Sequence, residues 1–177
     1  NLEASLDPEV LDIALDIRPD QLTLVPERRQ EVTTEGGLDL IGQLNRIAET
    51  ITRFKAMEIE VSLFLDPNPS QVEAAASTGA SAVELHTGRY ADAIGPEARQ
   101  RELSALFDAG RRIRQSGLAL HAGHGLNLEN VAAVAQIPDM LELNIGHSIV
   151  SRAIFLGIER AVAEMKRAIL DARSPNS

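Results

Sequence analysis

LALHAGHGLNLENVAAVA, residues 118–135, passes from an apolar run through two histidines and two glycines into a segment of helical period. A short apolar run bounded by turn residues reads as a buried strand, and Asn127 or Asn130 is placed to open the helix that follows. The stretch is therefore one strand–turn–helix unit with its polar groups gathered where the strand ends. Whether that unit repeats decides the fold.

It repeats along the whole chain. Strand candidates lie at 1–3, QLTLV (21–25), IEVSLFL (59–65), SAVEL (81–85), LALH (118–121) and LELNI (141–145). Helix candidates run at 8–17, opened by Asp7-Pro8, then about 39–57, 70–78 after Asp66-Pro67, 96–116 and 128–135, with two more at about 147–156 and 157–172. In the last of these, Ile158, Ala161, Val162, Met165 and Ile169 fall on one face. The strand segments read as apolar on both faces, which predicts strands covered by helices on both sides or closed into a barrel. Repeated strand–helix units predict a parallel sheet and an α/β fold in one domain, 1–177.

The polar residues bear on barrel against open sheet. His86, His121, His124 and His147 follow apolar runs, and Glu3, Glu27 and Glu84 sit at comparable ends. In parallel α/β folds the strand ends are where sites are built, and convergence from at least five of them favours a barrel. Six strands cannot close an eight-stranded barrel, so either two further units precede Asn1 or the sheet is open. The polar connection 25–39, VPERRQEVTTEGGLD, is longer than an ordinary strand-to-helix loop and reads either as a lid or as a plain surface loop.

Composition narrows the function. A formal net charge of -9 over 177 residues argues against a nucleic-acid partner, which needs clustered Lys and Arg. No apolar run has the length of a membrane span, and NLEAS lacks the features of a signal peptide, so a cytoplasmic protein with no membrane partner is expected. The start at Asn1 without Met reads as a beginning within a longer chain. The absence of cysteine excludes disulfides, thiolate metal sites and a Cys nucleophile. Lys55 and Lys166 are the only lysines and neither lies on a strand, which disfavours Schiff-base chemistry. No Gly-x-Ser-x-Gly, Gly-x-Gly-x-x-Gly or Walker sequence appears.

HAGHG admits four readings: a metal pair, a phosphate cradle, a catalytic base, or a turn. A His-x-x-His pair on a turn lacks the third ligand of a zinc site. Gly123 and Gly125 allow close backbone approach beside a helix start, and Gly146 with His147 in NIGHS repeats the arrangement, which favours phosphate over metal. Imidazole titrates near neutrality, so His124 is a candidate acid or base, whereas His121 at the strand end reads as structural. Glu84 and Glu3 are strand glutamates whose burial demands a partner or a role in proton transfer. A salt bridge of Glu84 to Arg89, or simple exposure, is the plainer alternative.

In NLE, LVPERRQEVTTEGGLD, VSLFLDP, VELHTGRYADA, HAGHGLN and ELNIGHSIVSRAIFLG, taken in order, the chain resembles the pyridoxine 5'-phosphate synthase family. The resemblance implies a (β/α)8 TIM barrel of which this chain holds strands three to eight, the first two strand–helix units being absent. It implies condensation of 1-deoxy-D-xylulose 5-phosphate with 3-amino-2-oxopropyl phosphate to pyridoxine 5'-phosphate, phosphate and water, with no metal and no other cofactor. By motif position, Glu3 is similar to the family's general acid/base, His124 to its proton donor and Glu84 to its transition-state-stabilising carboxylate. Thr33 matches the loop over the deoxyxylulose phosphate, and Gly125, Gly146 and His147 match the site for the amino-ketone phosphate. The family is homo-oligomeric, often octameric, and its absent units carry another acid/base histidine, so the chain alone is expected to be an incomplete catalyst. Two alternatives remain at this stage: a metal-dependent lyase or isomerase using His86, His121 and His124, and a non-catalytic phosphometabolite-binding domain.

Overall fold

The structure, a computed structural model, describes residues 1–27 and 36–174. Strands β1 (Leu2–Ala4), β2 (Gln21–Leu24), β3 (Glu60–Leu65), β4 (Ala82–His86), β5 (Ala119–Gly123) and β6 (Met140–Asn144) form one sheet in sequence order, every neighbour parallel. The helices are α1 (Pro8–Ile17), α2 (Leu44–Lys55), α3 (Pro69–Ala75), α4 (Gly88–Asp92), α5 (Pro96–Gln115), α6 (Val131–Ala135), α7 (His147–Leu156) and α8 (Ile158–Arg173). Local chemistry sets several boundaries. Asp7 caps α1 by accepting from the amides of Glu9 at 2.9 Å and Val10 at 3.4 Å, and Pro8 needs no amide partner there. Residues 39–43 form a turn rather than the first turn of α2, because Gln71 Oε1 already accepts from the amides of Leu40 and Ile41. Likewise 127–130 is a turn held by Asn130, so α6 starts three residues later than periodicity predicts.

The strands alternate, contrary to the expectation of two apolar faces. Leu22, Leu24, Val61, Leu63, Leu65, Val83, Leu85, Leu120 and Ala122 are all buried and join the helices in a single apolar cluster. The intervening residues present Glu3, Thr23, Ser62, Glu84, His121 and Glu142. Register carries these across the strands as two rows, Glu3–Thr23–Ser62 and Phe64–Glu84–His121–Glu142. This second face is concave. Gln21 Nε2 donates to Glu142 Oε1 at 3.4 Å, joining β2 to β6, which on a flat sheet would lie roughly 19 Å apart at the usual strand spacing. Two side chains cannot span that distance unless the sheet curls.

The curl does not close, so the expected eight-stranded TIM barrel is not the fold of this chain. The chain forms an open, six-stranded parallel half-barrel of α/β class. Among the described residues β1 pairs only with β2 and β6 only with β5. Six strands do not supply the circumference that an eight-stranded closure requires. No helix among the described residues is long and apolar enough to cross a membrane.

Candidate active site

The concave face is centred on Glu84, only 2% exposed in the middle of β4. Its Oε2 accepts from Asn144 Nδ2 on β6 at 2.7 Å. The other oxygen occupies space that a side chain at residue 123 would fill: a Cβ on Gly123 would stand 2.3 Å from Glu84 Oε1. Gly123 therefore makes room for the carboxyl. Burial is the largest influence on its acidity, and the charges of Glu3 and Glu142 act in the same direction. The Asn144 hydrogen bond opposes them, leaving the pKa raised from 4.5 to about 7. Such a group can both give and take a proton near neutral pH. Glu3 lies on the same face at the β1 edge, exposed, and its charge reaches Glu84.

At the C-terminal end of the strands a second group forms around His86. Its ring is buried and stands 5.0 Å from that of Phe64 and 4.9 Å from that of His124, edge-on to the latter. His86 Nδ1 is 2.9 Å from Asp66 Oδ1. Burial alone would raise the Asp66 carboxyl. The His86 hydrogen bond and charge, the Gly37 backbone and Arg89 outweigh it and hold the pKa below the ordinary value. Asp66 is thus a carboxylate that can only accept, and Nδ1 of His86 carries the proton. His124 adopts a φ of 82°, a conformation costing a non-glycine residue about 1 kcal/mol or more. Thr87, fully buried, holds it there: its amide and hydroxyl both donate to the Gly123 carbonyl, and the hydroxyl also reaches the carbonyl of His124.

His121 and His124 occupy different surroundings. His121 lies within the concave row, 2% exposed, beside Glu84 and Glu142, and its Nδ1 has no hydrogen-bond partner. Burial depresses its pKa against the opposing charges of Glu142 and Glu60. Gly125, Gly146 and His147 are exposed at the strand-end rim. Gly125 has a φ of 74°, and a Cβ there would meet Ala91 at 2.7 Å, so this position requires glycine. Asn130 holds the same turn, donating to the Gly125 carbonyl and accepting from the Asn127 amide. Ser148 Oγ donates to the Leu126 carbonyl at 2.6 Å, which draws the first turn of α7 against that turn. A Cβ on Gly146, at the head of α7, would meet nothing within 4 Å, so its backbone is open to approach. Thr33 and most of the candidate lid lie outside the described residues. Beyond that gap, Gly37 packs on Leu65 and Asp66, and the Leu38 amide donates to the Phe64 carbonyl.

Sequence reasoning singled out Glu3, Glu84, His124, Gly125 and Gly146 but missed Asn144, Asp66 and Thr87 as parts of the site, and it took Gly123 for a phosphate contact where the structure has it making room for Glu84. For Asn144 the signal was present: it is two residues past Glu142 in a strand, hence on the same face. For Thr87 none was, because its role rests on a long-range contact with carbonyls 36 and 37 residues away.

The sequence model of the pyridoxal phosphate biosynthesis protein PdxJ family matches residues 1–171. The chain is 54% identical over 169 residues to a pyridoxine 5'-phosphate synthase of Nostoc sp. (strain PCC 7120 / SAG 25.82 / UTEX 2576), covering 96% of this chain and 71% of the relative. Identity to the enzyme of the same name from Synechococcus sp. (strain JA-2-3B'a(2-13)) is 53% over 169 residues, with the same coverage. Among solved structures, a complex of BexX and CysO from Amycolatopsis orientalis is similar with a TM-score of 0.64 at 18% identity, over 93% of this chain and 60% of that one. A GMP reductase from Trypanosoma brucei follows at 0.60 and 14%, over 94% and 40%. At those identities the structures speak for the fold alone.

Proposed function

The chain belongs to the PdxJ family of pyridoxal phosphate biosynthesis proteins, a pyridoxine 5'-phosphate synthase family, and we propose on that premise how its concave face serves the reaction. The synthase acts on phosphorylated small molecules. The two we assign are 1-deoxy-D-xylulose 5-phosphate and 3-amino-2-oxopropyl phosphate. Joining an amine to a ketone, losing water twice and expelling phosphate requires protons to be moved repeatedly at one place. Glu84 is the central carboxyl of that place, Glu3 the neighbouring acid/base and His124 the proton donor at the rim.

The observation that carries this reading is the buried Glu84 carboxyl, held by Asn144 and pushed up to about 7. An ordinary glutamate is almost wholly ionised at neutral pH and gives up few protons, whereas this one is poised between its two forms. Glu3 adds a second carboxylate whose charge favours a protonated Glu84. Phosphate groups are received at the rim, where Gly125 and Gly146 let backbone approach closely and the free amides of the first turn of α7 face an anion with His147 beside them. An acidic chain can hold anions in this way because the contacts are made by backbone dipoles. Thr33 is assigned to closure over the deoxyxylulose phosphate.

The test, made on the full-length protein because the chain alone is expected to be an incomplete catalyst, is formation of pyridoxine 5'-phosphate from the two substrates together, with calorimetric titration of each alone. Glu84→Gln, Glu3→Gln and His124→Asn are expected to lower turnover at least about a hundredfold while each substrate still binds. Near-normal turnover in any of the three removes that residue from its role. Binding without turnover in the unaltered protein would favour a phosphometabolite-binding domain instead. The exposed Ile154, Phe155 and Ile158 on α7 and α8 support a homo-oligomer, an octamer in our assignment, which light scattering would read as mass.

A further inference from the structure

The Asp66–His86 pair has no part in the proton transfers assigned above, yet His86 is buried beside His124 and tied to Asp66 at 2.9 Å. We propose that Asp66 and His86 are positioning residues that fix the imidazole of His124, His86 presenting its ring to His124 in an orientation set by its hydrogen bond to Asp66. The proposal rests on the reading of His124 as the proton donor.

Three constraints meet at the His86 ring. Its Nδ1 is tied to Asp66 Oδ1 at 2.9 Å, which removes rotation about the ring axis. One side meets Phe64 at 5.0 Å, with the planes 51° apart, and another meets His124 at 4.9 Å, with the planes 68° apart. Beneath it the backbone of Gly88 comes so close that a Cβ there would stand 2.6 Å from His86 Nε2 and 3.3 Å from His124 Cδ2. The ring therefore has one place and one orientation. His124 has its backbone fixed by Thr87, and its exposed side chain meets the His86 ring edge-on at 4.9 Å and the Phe64 ring at 6.5 Å, contacts that restrict its rotamer. Asp66 is itself anchored, its carboxylate accepting from the Gly37 backbone. A proton donor must meet its acceptor within a few tenths of an ångström, and a misplacement of about 1 Å can cost on the order of a hundredfold in rate. A rigid neighbour that never touches substrate thus acts on turnover rather than on affinity.

Asp66→Asn, His86→Asn and His124→Asn, compared with the unaltered protein, test this through kcat and KM for both substrates and through the ring resonances of His124. Asp66→Asn keeps shape and loses charge, whereas His86→Asn keeps a donor toward Asp66 and loses the ring. Asp66 just past β3 and His124 after β5 face the His86 ring, and the charge of Arg89 on α4 acts on Asp66. Expected are a fall in kcat of at least about tenfold in both Asp66→Asn and His86→Asn, with KM within about twofold, and a displaced His124 resonance in each. Adding His124→Asn to either should cost little more than His124→Asn alone. Should His86→Asn fail to fold, the near-isosteric Asp66→Asn protein still supplies both readings. If kcat stays within twofold and the His124 resonance is unmoved in folded Asp66→Asn while His124→Asn is impaired, the positioning role is overturned and the donor role stands. If His124→Asn itself turns over normally, the donor role falls and the positioning role with it.

Discussion

At the scale of single residues, Glu84 links the stability of the protein to its chemistry. Its folded-state pKa of about 7 lies above the ordinary 4.5, so the folded state holds the proton more tightly than the unfolded chain does. The stability this contributes is fully present below pH 4.5 and is lost as pH rises to about 7, a change on the order of 3 kcal/mol. Glu84→Gln, which cannot ionise, should be the more stable protein at pH 8 and lose most of that advantage at pH 5, as urea unfolding at the two pH values would read. His121, depressed by burial, costs stability as pH falls in both proteins, so Glu84 is read from the difference between them. An advantage independent of pH would show that Glu84 is ionised at both. Gly123 is the complementary position. Gly123→Ala places a methyl 2.3 Å from Glu84 Oε1 and 2.9 Å from the Asn144 carbonyl, so one of them must move. The expected loss is about 1–3 kcal/mol in stability together with most of the turnover; unchanged kinetics would mean that the carboxyl does not need its present place.

At the scale of elements, what the sequence made legible follows from which interactions are local. Among the described residues, six strands and seven of eight helices lie close to where periodicity and the Asp7-Pro8 opening predict them, because caps and amphipathic faces are written within a few residues, although α3 is capped by Asn68 ahead of Pro69 rather than opened by Asp66-Pro67. The errors have long-range causes: Gln71 satisfies the amides of Leu40 and Ile41 from 31 and 30 residues away, and α4 is one short turn packed beneath the rim. The alternation of EVSLFL was in plain view, but the segment reads as apolar on both faces until the register puts Ser62 beside Thr23 and Phe64 beside Glu84. The turn between β5 and α6 offers a test of how far an element supports the rim. Asn130→Ala would leave the Asn127 amide and the Gly125 carbonyl without their partner, at about 1–3 kcal/mol. Because Gly125 belongs to the assigned phosphate site, KM for the amino-ketone phosphate should rise more than kcat falls. A stability loss with KM unchanged would detach the turn from substrate binding.

At the scale of the whole molecule, the open curl makes the sheet unequal along its width. β3, β4 and β5 are hydrogen-bonded on both sides, whereas β1 has three paired residues on one side, and β6 is joined to β5 through a register shift between Leu120 and His121. Their convex faces differ as well, since the centre is covered by Leu63, Leu65, Val83, Leu85 and Leu120, all fully buried, while Leu141 on β6 is 69% exposed. Amide exchange should follow this gradient. Amides of Leu63, Leu85 and Ala122 should open only with global unfolding, and those of Leu2, Glu3 and Leu143 by smaller openings at the edges. The consequence reaches the site, because Glu84 stands on the stable centre while two of its neighbours, Glu3 and Asn144, stand on the edge strands. Local opening of β6 would release the Asn144 hydrogen bond without unfolding β4, and the Glu84 carboxyl would then lose the one contact that lowers its pKa. Exchange in β1 and β6 as slow as in β4 would show that both edges are covered in solution, and the site would then be rigid from rim to rim. Faster exchange at the edges, slowed when both substrates are bound, would show that substrate binding completes the order which the six strands alone leave unfinished.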